Sequence, residues 1–103
     1  MYKLNILPIA KNDMDNIVYY IANDLKNISA ARKLSKKFIE CAKSILDFPY
    51  GLPAYTFSYK LENEYRCIKI NNFLMFYTIN EEMKVITIVR VLYKKMDIKN
   101  ILE

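Results

Sequence analysis

The stretch NNFLMFYTINEEMKVITIVRVLYKKMD, residues 71–97, constrains the fold more than any other. Two apolar runs, residues 73–79 and 85–93, are joined by the polar elbow at residues 80–83. Their length and their β-branched and aromatic content suit strands packed on a pleated surface. A strand as continuously apolar as residues 85–93 belongs near the centre of a sheet, with cover on both faces. Arg90 interrupts it, and Tyr93, Lys94 and Lys95 end it in a basic cluster. A period of two puts Ile86, Ile88, Arg90 and Leu92 on one face. Val85, Thr87, Val89, Val91 and Tyr93 then share the other.

The remaining elements follow from similar patterns. Residues 2–7 alternate as a short strand, closed by Pro8. Asn12 or Asp13 is the expected cap of a first helix, with Met14, Ile17, Val18, Ile21 and Leu25 on one face. Asn27 or Ser29 caps a second helix, whose stripe is Ala31, Leu34, Phe38, Cys41, Ala42 and Ile45. That helix ends near Phe48, because Pro49 disfavours helical geometry in the residue before it. Residues 49–64 read as a loop punctuated by Pro49, Gly51 and Pro53. Residues 65–70 form a strand, and Asn71-Asn72 a two-residue turn, since Asn tolerates a left-handed backbone. Asp97 caps a last short helix with Ile98, Ile101 and Leu102 as its packing face. The expected fold is α+β: a two-helix hairpin on one face of a mainly antiparallel four-stranded sheet, in the order β-α-α-β-β-β with a short C-terminal helix. The other sheet face then needs a partner or forms a site.

Length limits the chain to a single domain over residues 1–103. A 53% hydrophobic content with one glycine argues for an ordered core. No apolar run reaches the roughly 18 to 20 residues of a membrane span, and the N-terminus lacks a signal-peptide pattern. The two cysteines, Cys41 and Cys67, make no disulfide framework, which favours a cytoplasmic setting. With no histidine, Ser-His-Asp and Cys-His catalysis and most zinc sites are excluded. No metal and no cofactor are expected. Any catalysis falls to Arg, Lys, Tyr, Asp or Glu. The net charge of +5 leans toward a polyanionic or acidic partner.

In this order the chain resembles the RelE/ParE superfamily of bacterial type II toxin–antitoxin toxins, closer to the ParE or plasmid-stabilisation branch. The resemblance rests on AARKL, DFPYGLP, YRCIKINNFLMFY and VITIVRVLYKKMDIKNIL taken together. It implies a growth-inhibiting toxin neutralised by a cognate antitoxin. The target is DNA gyrase in ParE-like members, and the ribosome with its mRNA in RelE-like members, which are endonucleases. Nuclease members typically carry Arg directly after the aromatic that opens the third strand. Leu74 stands there, and Tyr65 and Cys67 occupy positions that are often basic in those members. ParE-like gyrase inhibition is therefore preferred. The alternatives are a RelE-like endonuclease and a non-toxic module that only binds protein or nucleic acid.

By the same resemblance Arg90 and Tyr93 are the candidate catalytic pair. Lys69, Arg90, Lys94 and Lys95 are the candidate target- or nucleic-acid-binding residues. Against this, Arg90 can be an internal ion pair with Glu62, Glu64 or Asp97, since a buried unpaired guanidinium is too costly. Arg66 reads as structural, paired with a carboxylate from the helices. Cys41 fits a core stripe, and the basic face of the second helix fits a solvated surface.

Overall fold

The computed structural model describes residues 1–51 and 64–102. The elements are β1 (Lys3–Ile6), α1 (Pro8–Tyr19), a π-helical turn (Tyr20–Asp24), α2 (Ile28–Asp47), β2 (Arg66–Ile70), β3 (Phe73–Asn80), β4 (Val85–Tyr93) and α3 (Ile98–Leu102). The sheet order is β1-β4-β3-β2. β1 pairs with β4 in parallel, and the other two pairings are antiparallel. The expected α+β layout and the central place of β4 are both present. Most of the expected loop at residues 49–64 lies outside the described residues.

The first helix begins five or six residues earlier than expected. Pro8 is its first helical residue, and Leu7 caps it with an extended backbone at φ −64° and ψ 145°. Pro lacks only an N–H that the first turn leaves unbonded anyway, and its fixed φ suits the helix. Neither Asn12 nor Asp13 is therefore a cap, and Asp13 lies inside the helix. At the other end, the Leu25 N–H bonds Tyr20 O at 3.1 Å, a wider π turn. The extra residue turns the stripe out of phase: Met14, Ile17, Val18 and Ile21 pack on the core, but Leu25 is exposed. Asn27 does cap α2, its Oδ1 accepting from the Ala30 N–H at 3.0 Å.

Ala31, Leu34, Phe38, Ala42 and Ile45 of α2 are buried. All but Ala31 join Ile70, Met75, Tyr77, Ile86, Ile88 and Val91 in the main core. The buried Tyr77 hydroxyl donates to Pro49 O at 2.9 Å, so this oxygen is not stranded in the core.

One irregularity reorders the faces. Phe76 pairs with Arg90 but Tyr77 with Ile88, so Val89 is an unmatched extra residue in β4. Such a bulge reverses the alternation of everything beyond it. Ile86 and Ile88 face the helices as expected, but Val91, not Leu92, continues that face. Leu92 and Val89 lie on the opposite side. That side has a cover of its own. Ile98 and Leu102 of α3 pack there with Leu74, Phe76, Leu92, Tyr65, Cys67 and Val89. The expectation of a bare second face is thus corrected, although Ile101, expected in the same packing face, points to solvent.

Candidate functional site

Arg90 sits where β1 has ended and β4 no longer has a neighbour on that side, since the β1 pairing stops at Ile88. Helix α1 fills this gap. Asp13, one turn into α1, receives Arg90 Nε at 2.7 Å on Oδ2 and Arg90 Nη2 at 2.9 Å on Oδ1. The same Oδ2 accepts the Val91 backbone N–H at 3.0 Å, so one carboxylate also seals an open strand edge. Side-chain exposures of 22% for Arg90 and 14% for Asp13 make this a largely desolvated, bidentate pair. The Asp13 hydrogen bond pushes the Arg90 pKa up, so the guanidinium is charged under all ordinary conditions.

The pair borders a cleft of about 580 Å³ between the end of α1 and the end of β4, further lined by Asn16, Ile17, Tyr20, Phe73, Tyr93 and Met96. Most of this lining is apolar. Asp13, Asn16 and Ile17 of α1 and Tyr20, the first residue of the π turn, form one stripe, because the last three lie three, four and seven residues beyond Asp13. Tyr93 meets Phe73 edge-on, with centroids 5.9 Å apart, and Phe73 meets Phe38 at 6.3 Å. Tyr93 is thereby anchored on one side and exposed on the other.

Among the residues anticipated from sequence, Arg90 and Tyr93 line this cleft together. Lys94 and Lys95 follow in an exposed turn, fastened by the Lys94 N–H to Asn72 O at 2.9 Å. Lys69 is not with them. Ile68 and Ile70 face the helices, and Lys69 alternates with them onto the α3 side, where it is exposed. Leu74, its partner across the ladder, is only 9% exposed and packs beneath α3.

The ion-pair alternative for Arg90 has a different partner from those anticipated. Glu62 lies outside the described residues, and Asp13 takes the role in place of Glu64 or Asp97. Asp13 carried a signal in the sequence: an acid on the inward stripe of a helix needs a buried cation, and Arg90 was the one cation inside a core strand. Among the described residues the ion pair of Arg66 is with Glu64, at 3.4 Å, where a helix carboxylate was expected, and its guanidinium stacks over the Tyr50 ring at 4.8 Å. Burial pushes the Cys67 thiol up to about 11 and raises Cys41 as well, so both are poor nucleophiles at neutral pH. Among the described residues no cluster of potential ligands could hold a metal ion. None of the described helices is long and apolar enough to cross a membrane.

A two-helix layer, a sheet ordered β1-β4-β3-β2 and a short terminal helix over its second face define the RelE/ParE toxin fold. Solved structures agree. The chromosomal ParDE TA system from P. aeruginosa matches with a TM-score of 0.71 at 18% identity, over 90% of this chain and 96% of that one. The archaeal RelE–RelB complex from Pyrococcus horikoshii OT3 matches with a TM-score of 0.61 at 12% identity, over 91% and 96%. The intact E. coli RelBE toxin–antitoxin complex matches with a TM-score of 0.51 at 17% identity, over 93% and 100%. No curated protein gives a sequence match. The family model for the ParE toxin of the type II toxin–antitoxin system parDE matches residues 4–98, and the chain belongs to that family.

Proposed function

We propose that this chain arrests bacterial growth by binding an essential target protein in the cytoplasm, with DNA gyrase preferred, and that a cognate antitoxin neutralises it. Leu74 carries the preference. RelE-like cleavage needs cations gathered around a phosphate as charge develops on it. Losing one such stabiliser typically slows a reaction by about 10²- to 10³-fold. Here the position where nuclease members place Arg is a leucine packed beneath α3. Arg90 is held by Asp13, and Lys69 stands on β2, two strands away from β4. The cleft beside Arg90 is mostly apolar and suits a protein side chain better than a nucleotide. An antitoxin partner is supported by the similar solved structures, which are toxin–antitoxin complexes.

Two assays on the same purified chain test this reading. Gyrase supercoiling of relaxed plasmid should fall as the chain is added and recover when the antitoxin is present. Primer extension on translated mRNA should show no new cuts. Discrete cuts in the ribosomal A site, with supercoiling unchanged, would establish the endonuclease instead. Normal growth on soluble expression, with neither effect, would leave a binding module.

A further inference from the structure

The solvent face of α2 concentrates almost the whole charge excess of the protein. Between residues 32 and 43 lie Arg32, Lys33, Lys36, Lys37 and Lys43 against the single acid Glu40, a local excess of four in a chain whose total is +5. All five cations are exposed. At 3.6 residues per turn they fall within an arc of about 140°, opposite the stripe that α2 buries.

The fold gains nothing from this arrangement. Arg32 and Lys36, and Lys33 and Lys37, are like charges four apart, each pair destabilising the helix by roughly 0.2 to 0.5 kcal/mol. The first turn of α2 has no acid to complement its dipole, so the positive end of the helix adds to the same potential. Lys36 meets Glu40 only at 3.9 Å in solvent, and Lys37 bonds Asn71 Oδ1 at 3.0 Å. Among the described residues Arg32, Lys33 and Lys43 meet no carboxylate.

We infer that this face of α2 binds the phosphate backbone of duplex DNA. The choice among polyanions follows from what the face contains. It has no aromatic residue on which unpaired bases could stack, which disfavours a single strand. Its arc of cations encloses no apolar residue, and the one exposed apolar side chain bordering it, Ile39, is a single small foothold, which disfavours an acidic peptide that would dock by burying several side chains. An A-form duplex closes its major groove, whereas the roughly 12 Å groove of B-DNA admits a helix between its phosphate walls. Residues 32 to 43 span about 16 Å of helix axis, the length over which such a duplex presents about ten phosphates. The contact reads no sequence, because phosphates carry none.

The inference does not depend on the target of the toxin, and its test contains no gyrase and no ribosome. The probe is a fluorescein-labelled 20-base-pair DNA duplex of arbitrary sequence, titrated by anisotropy at several salt concentrations. Neutralising three to five phosphates gives a slope of log K against log salt of roughly −3 to −4.5. Arg32→Gln/Lys33→Gln/Lys36→Gln should weaken binding at least tenfold at low salt and flatten the slope by two to three. Lys3→Gln/Lys11→Gln/Lys26→Gln removes the same charge from other surfaces and should change the affinity less than threefold. Circular dichroism confirms that both variants are folded. Equal weakening by the two variants would reduce the effect to net charge and overturn the inference. So would an absence of binding at low salt. Equal or tighter binding of poly-glutamate, of a single strand or of an RNA duplex would transfer the face to that partner.

Discussion

Among the described residues, the two faces of the sheet are covered by very different amounts of protein. On one, α1 and the 20-residue α2 enclose a core with eleven buried members among the described residues. On the other, the five-residue α3 supplies Ile98 and covers three buried strand residues, Leu74, Phe76 and Leu92. β3 serves both, with Met75 and Tyr77 under the helix pair and Leu74 and Phe76 under α3. Among the described residues the helix-pair face therefore carries most of the core, and the α3 face is the thinner cover. Arg90 marks the boundary, because the bulge at Val89 turns the strand there and Asp13 reaches over to receive it.

The largest test of this asymmetry removes volume from the thick side. Phe38→Ala should cost about 3 to 5 kcal/mol in urea unfolding, as for other buried phenylalanines. For a domain of this size that is a large part of its stability. A loss under about 1 kcal/mol would mean that α2 is not the principal cover. Asp13→Ala should come next, at about 2 to 4 kcal/mol. It strands a mostly buried guanidinium and the Val91 N–H, though residual solvent contact keeps it below a fully buried pair. Arg90→Ala should be comparably damaging, and the double variant should cost far less than the two losses added together. Strict additivity would refute the staple. Loss of growth arrest in Arg90→Ala is informative about function only if its melting temperature is retained.

Ile98→Ala should cost about 1 to 2 kcal/mol, less than its burial suggests, because a short terminal helix can settle into the gap. Equal costs for Ile98→Ala and Phe38→Ala would erase the distinction between the faces. The smallest effect belongs to neither face. Exposed Glu81, in the turn after β3, accepts from the Tyr2 hydroxyl and bonds Lys84 Nζ at 3.0 Å. These bonds, Tyr2 foremost, lower its pKa from 4.5 to about 2. Its stabilising effect is present above about pH 4.5 and is lost as the pH falls through 2. The melting temperature of Glu81→Gln should lie slightly below that of the parent near pH 6 and meet it near pH 2. A gap that is constant with pH would exclude the carboxylate as its cause.

Much of this was legible from local pattern. Period-two runs located β2 to β4, Asn71 supplied the left-handed turn at φ 54°, and Asn27 the α2 cap. What failed has physical causes. Pro8 was read as the end of a strand, although the same missing N–H makes it a good first residue of a helix. The bulge was hidden because β4 is apolar on both faces apart from Arg90, so hydrophobic alternation carries no phase there. Asp13 and Arg90 are 77 positions apart, and only the ending of β1 at Ile6 lets α1 reach that edge of β4. The site residues separated for a related reason: Lys69 stands on β2, two strands from β4, while Asp13 draws the Arg90 side chain toward α1.

The central position of β4 has a consequence for the order in which the protein assembles. β1 and β3 do not touch each other in the sheet, and each is joined to it through β4. The pairing of Lys3 with Val85 closes across nearly the whole described chain. While the chain is being synthesised, only the helical hairpin and the β2–β3 hairpin can form from neighbours already made. The sheet, the Asp13–Arg90 pair and the cleft beside them must all wait for residues 85 to 93. Contacts so distant in sequence close slowly, because the loop entropy is lost before they form. A chain extended only as far as residue 84 therefore carries the helical hairpin with its basic α2 face, but neither the Asp13–Arg90 pair nor the cleft beside it.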